Sequence, residues 1–131
     1  MYAFLLKAQH PAYIHLSEKD GLPDIEFYDL HEDKKGFVWL AADKGLYRYD
    51  GKEFKKFTNQ NKKRSSVFGL LEDDKGRVWC TNISGQFFYA EGENLITYID
   101  LGDKLRGQLG VFSIIDSTLY INTSKELYKI N

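Results

Sequence analysis

Cysteine is almost missing from this sequence. Cys80 stands alone in 131 residues, so no internal disulfide can staple the fold. It is expected instead as a small buried core residue. Proline is scarce as well, with two in the chain, which leaves long stretches free to pair as sheet. A surplus of positive charge is lacking: 18 Lys and Arg stand against 19 Asp and Glu. A nucleic-acid binder would show a basic excess, so no nucleic-acid contact by this segment is expected. No apolar run reaches the roughly 18 residues that a membrane-spanning helix needs. His10, His15 and His31 lack metal-ligand spacing and have no cysteine beside them. There is no G-x-S-x-G, no phosphate loop and no dinucleotide fingerprint. The segment is therefore read as non-enzymatic, with no catalytic, cofactor-binding or metal residue assigned and no cofactor expected.

Aromatic side chains are abundant: nine Tyr, nine Phe and two Trp. Such a composition suits β-sheets packed on both faces. The strongest feature is a repeat. EDKKGFVWLAADKGLYRY, residues 32–49, returns as EDDKGRVWCTNISGQFFY, residues 72–89. Asp33, Gly36, Val38, Trp39, Gly45 and Tyr49 match Asp73, Gly76, Val78, Trp79, Gly85 and Tyr89. A third, worn copy lies 81 residues beyond the first, where KGLYRYD (44–50) becomes KELYKIN (125–131) and Tyr120 takes the place of Trp39.

Each repeat reads as four antiparallel strands joined by hairpins. Apolar runs at 27–31 and 37–41 flank an Asp/Lys/Gly cluster, whose glycine supplies the positive φ of a tight turn. A third run covers 45–49; Asp50-Gly51 marks another hairpin, and the fourth run covers 52–57. The second repeat predicts strands at 67–71, 77–81, 86–89 and 95–99, and the third at 110–115, 118–122 and 126–130. Four strands at a period of about 40 residues is the pattern of a β-propeller blade. Trp39 and Trp79 are expected to fill the wedge between adjacent blades.

The pattern V/F-x-x-L-x-E-D-x-x-G-x-V-W followed by G-L-Y-R-Y-D-G resembles the two-component regulator propeller repeat. The likeness runs over about residues 13–131. The second copy replaces the Asp-Gly pair by Ala90-Glu91, and the third lacks both the Trp and the turn glycine. The resemblance implies the extracytoplasmic sensor region of a hybrid or sensor histidine kinase. Its parent would be anchored in the inner membrane, homodimeric, and tuned to a periplasmic ligand such as an oligosaccharide. Some relatives carry a DNA-binding output instead of, or as well as, the kinase. None of the kinase machinery lies in these residues.

The expected division is an all-β propeller fragment: an outer strand at 13–16, blades at 25–57 and 67–99, and a partial blade at 110–131. One, four, four and three strands make three blades, fewer than the four of the smallest rings. The remaining blades of the same propeller are therefore expected beyond Asn131; the alternative is a short protein that completes its ring by self-association. Residues 1–9, MYAFLLKAQ, read as the remnant of a secretory signal peptide cut near Ala8 or Gln9, or else as a frayed terminal strand or helix turn.

Three features invite a chemical reading. The acidic turns Glu32-Asp33 and Glu72-Asp73-Asp74 are read as hairpins rather than calcium sites, because calcium needs six to eight converging oxygens. Asp74, Gly76 and Trp79 have the spacing of the Asp-box turn of sialidase-type propellers, which leaves a glycoside hydrolase or lyase as an alternative and a plain protein-interaction propeller as a third. The links 58–66 and 100–108 carry Lys62, Lys63, Arg64, Lys104 and Arg106. They read as solvated loops, or as an anion or acidic-glycan contact on the rim. Ligand-contacting residues are left unassigned; the loops near 24–26, 64–66 and 106–108 are the candidates.

Overall fold

The structure, a computed structural model, describes residues 11–131. The signal-peptide reading of residues 1–9 falls outside the described residues. The chain is all-β, as expected, in three antiparallel sheets. β1 (Phe27–Glu32), β2 (Val38–Ala42), β3 (Gly45–Tyr49) and β4 (Phe54–Phe57) form the first sheet, in chain order. β5 (Phe68–Glu72), β6 (Val78–Thr81), β7 (Gln86–Glu91) and β8 (Asn94–Asp100) repeat that order in the second. β9 (Val111–Ile115), β10 (Thr118–Asn122) and β11 (Leu127–Ile130) form a three-stranded third sheet.

The meanders follow from local chemistry. In the β1–β2 turn, the Gly36 amide donates to the Asp33 carbonyl at 2.9 Å, with Gly36 at φ 88°. The Gly76 amide makes the same bond to Asp73 at 3.0 Å. The third sheet has lost this glycine and uses a shorter turn. Asp116 and Ser117 take φ 49° and 63° between Ile115 and its partner Thr118. Two consecutive left-handed residues make the hairpin turn whose twist matches the strands.

Register then decides which face each side chain occupies. Side chains alternate along a strand, and directly opposed residues share a face. In the first sheet Trp39, Ala41, Leu46 and Phe57 turn toward the second sheet. There they meet Val67, Val78, Cys80, Phe88, Ala90 and Leu95 in one buried cluster. On the far face of the second sheet, Trp79 and Phe87 join Phe112, Leu119 and Ile121 of the third, with Leu101 and Leu105 of the intervening link. The first strands of the three sheets, β1, β5 and β9, lie next to one another in series. Trp39 and Trp79 are both buried between sheets, at 5% and 2% exposure, as expected from their recurrence. Cys80 is fully buried, also as expected.

Two expectations are corrected. Residues 13–16 form no strand. They have no hydrogen-bonded neighbour strand among the described residues, and Tyr13 and Ile14 are 90% and 87% exposed. Alternation alone does not make a strand; the ladder partner does. The 100–108 link is not a plain loop but contains a helical turn, α1 (Gly102–Leu105). Leu101 and Leu105, one helical turn apart, bury together against the second and third sheets.

Candidate functional site

The loops singled out from sequence are held by internal bonds. Asp24 is buried and accepts the amides of Ile25 at 2.8 Å and Lys44 at 2.6 Å. Burial works to raise its pKa, but the accepted amide bonds outweigh it and hold the carboxyl below the usual range. The Tyr28 hydroxyl donates to Glu26 at 2.9 Å and lies 3.3 Å from Asp43, which also accepts from Ser66 Oγ at 2.8 Å. Bonding to Glu26, then the desolvation and the nearby carboxylates, push the Tyr28 phenol up to about 12. Residues 24–26 and Ser66 are thus gathered around Asp43. Residues 106–108 belong to the next link and make no hydrogen bond to this group.

Two of the three cations of the 58–66 link bond within the chain, Lys62 half-buried and Lys63 at the exposed surface. Lys62 is half-buried over Gly45 and donates to the Ser65 carbonyl at 2.9 Å; desolvation lowers its pKa. Lys63 pairs with Asp100 at 2.8 Å, and its amide donates to Gln86 Oε1 at 2.9 Å. Gln86 in turn donates to the Asn61 carbonyl at 3.0 Å and accepts from Asn82 at 2.9 Å. Asn59 reaches across to the Leu95 carbonyl and Thr97. The link is laced onto the second sheet, and Arg64 alone of its three cations keeps its head group free of a bond among the described residues. Over Gly45 lies the Lys62 side chain, whereas link backbone passes directly over Gly85. A Cβ on Gly85 would come within 2.8 Å of the Gly102 amide nitrogen.

The acidic turns are clamps. Asp33 Oδ1 accepts the amides of Lys35 and Phe37 at 2.9 Å, and Oδ2 accepts the Trp39 indole N–H at 2.8 Å. Asp73 repeats all three bonds to Lys75, Arg77 and Trp79, and adds the Arg77 guanidinium at 2.7 Å. Burial works against both carboxylates, yet the indole and amide donors hold each below its ordinary value. In the Asp-box spacing, therefore, Asp73 rather than the exposed Asp74 grips the tryptophan. Both oxygens of each clamp are spent on the protein's own donors.

On the side of these turns, a cleft opens between each pair of neighbouring sheets. The one between the first and second sheets has a volume of 420 Å³; that between the second and third, 210 Å³. The larger is floored by Phe37, Trp39 and Phe57, with Arg48 lying across them. The Arg48 guanidinium sits 4.6 Å from the Phe37 ring centre, 5.5 Å from Phe57 and 5.6 Å from Trp39. Lys34, Lys35 and Lys75 rim it, with Glu72 and Asp74. Glu72 accepts the Lys34 amide at 3.2 Å and faces His31 Nε2 at 3.2 Å, tying the second sheet to the turn of the first. The smaller cleft carries its guanidinium on Arg77, already neutralised by Asp73.

Sequence reasoning passed over Arg48 and Phe37. The signal was there: Arg77 stands at the repeat position of Phe37, and Tyr89 opposes Trp79 where Arg48 opposes Trp39, so the arginine changes strand between copies. No protein-family model matches the chain, and no match is found among curated proteins.

Proposed function

We propose that the chain is the N-terminal part of a ligand-binding β-propeller, the extracytoplasmic sensor region of a two-component phosphorelay protein. Its parent is a membrane-anchored, dimeric histidine kinase or a DNA-binding regulator of the same sensor class. The ligand is a periplasmic small molecule or oligosaccharide, and the segment acts by biasing a conformational equilibrium rather than by chemistry. The repeat residues carry the resemblance to that family. The supporting structural observation is positional. Val78 and Cys80 are buried beneath the first sheet. Their counterparts Val38 and Leu40 face away from the second sheet, beside Leu30, which is 65% exposed. An apolar face at the same register is a seat for another sheet of the same kind, and continued stacking of such sheets makes a ring.

The reading frame around this segment in its source genome tests the proposal. A membrane-spanning helix, then a histidine-bearing dimerisation helix and an ATP-binding domain, is the expected result. A frame closing after the last sheet, with an arginine triad or paired carboxylates on the loops at one mouth of the ring, would replace it with a glycoside hydrolase or lyase.

A further inference from the structure

We propose that the cleft between the first two sheets binds a sugar-sized organic oxyanion, gripped by Arg48. A guanidinium presents five N–H donors in a planar fork that matches a carboxylate or phosphate edge. Among the described residues, none of the donors of Arg48 finds a hydrogen-bond acceptor or an ion-pair partner. Asp33, whose carboxylate feels the Arg48 charge, has both oxygens committed to the turn amides and to Trp39. The guanidinium is nonetheless held in place, because the rings of Phe37, Trp39 and Phe57 all lie within 5.6 Å. An aromatic platform orients a cation without using up its donors. The comparison inside the molecule is direct: Arg77, over Trp79 and Tyr89 in the neighbouring cleft, donates to Asp73 at 2.7 Å and has its charge answered.

The surroundings suit an anion of moderate size. Four cations, Arg48 with Lys34, Lys35 and Lys75, face three carboxylates, of which Asp33 and Glu72 already accept protein donors. The lysines at the rim make no ion pair among the described residues. The volume of 420 Å³ lies in the range of small-molecule sites and admits a hexose ring beside its charged group. The half-buried Phe37 ring offers the apolar contact that a sugar's C–H face requires. This deepens the sensor reading by naming a ligand chemistry. It rests on that reading only for what binding would signal.

The experiment titrates the purified chain with glucuronate, glucose 6-phosphate and glucose by calorimetry, and follows the two indole N–H resonances by NMR. At least one of the two acids is expected to bind saturably, glucose not to, and the Trp39 indole to shift while Trp79 stays still. Whichever acid binds identifies the oxyanion as carboxylate or phosphate ester. Arg48→Gln is expected to weaken that binding by roughly tenfold or more, with Arg48→Lys in between and Arg77→Gln unchanged. Silence from both acids, equal binding of glucose, or an unaltered Arg48→Gln affinity overturns the proposal. Should Arg48→Gln fail to fold, the wild-type resonances decide: a ligand shift at Trp79 without one at Trp39 refutes the site. Failure of the sensor reading shows separately, in the flanking gene sequence, and leaves these outcomes untouched.

Discussion

The indole of Trp79 donates to Asp73 Oδ2 at 2.8 Å, and forty residues earlier the indole of Trp39 donates to Asp33 Oδ2 at the same distance. One carboxylate thereby sets a turn and fixes the ring that fills the space between sheets. Local and long-range structure share a single side chain.

Replacing Asp73 with Ala strips acceptors from two amides, an indole and a guanidinium at once. A loss of about 3 kcal/mol is expected, since each buried donor left without an acceptor carries a desolvation cost. Asp33→Ala should cost less, because Asp33 is more exposed and accepts no bond from an arginine. Urea unfolding midpoints of the two variants check the order.

The same carboxylates give the stability a pH dependence with a definite sign. The carboxyls of Asp24, Asp33 and Asp73 are all held below the ordinary aspartate range in the folded chain. Their contribution is complete above the unfolded value and is lost as the pH falls through the folded ones. Tryptophan emission during acid titration should therefore report cooperative unfolding below about pH 4. Asp73→Ala should flatten that limb.

Trp79→Ala should cost roughly 3–5 kcal/mol, the usual range for emptying a large aromatic site in a packed interior. Trp79 is 2% exposed and lies 5.2 Å from the Tyr89 ring and 5.0 Å from that of Tyr98. Thermal melts of Trp79→Ala and Trp79→Phe together separate volume from the indole bond, because Phe restores most of the first and none of the second.

Gly85 and Gly51 form a matched pair of tests. Both have positive φ, at 80° and 100°. A Cβ on Gly51 meets nothing within 4 Å, whereas on Gly85 it meets backbone at 2.8 Å. Gly51→Ala should cost about 1 kcal/mol, for the left-handed conformation alone. Gly85→Ala should cost clearly more, because the link carrying Leu101 must shift. Denaturant midpoints provide the comparison.

Burial pushes the Cys80 thiol up to about 12, against a smaller opposing pull from Lys62. A thiol that is neither ionised nor accessible does not react. Dithionitrobenzoate at pH 8 should label one thiol at once in urea, and the native chain only slowly, at the rate at which the first two sheets open.

The sequence by itself determined the repeat, all eleven strands to within two residues at either end, and the burial of the two tryptophans. These are local matters: alternation of apolar residues sets a strand face, and a glycine at positive φ sets a turn. It also displayed an arginine at 48 in one repeat and at 77 in the next without saying what that change meant. Only the tertiary structure decided that Asp73, not Asp74, holds Trp79, that Lys62 and Lys63 are spent on the fold, and that 13–16 stays unpaired. It alone left Arg48 with unanswered donors above three rings. Each of these depends on which sheet lies opposite and in what register, and residues distant in the chain settle that geometry together.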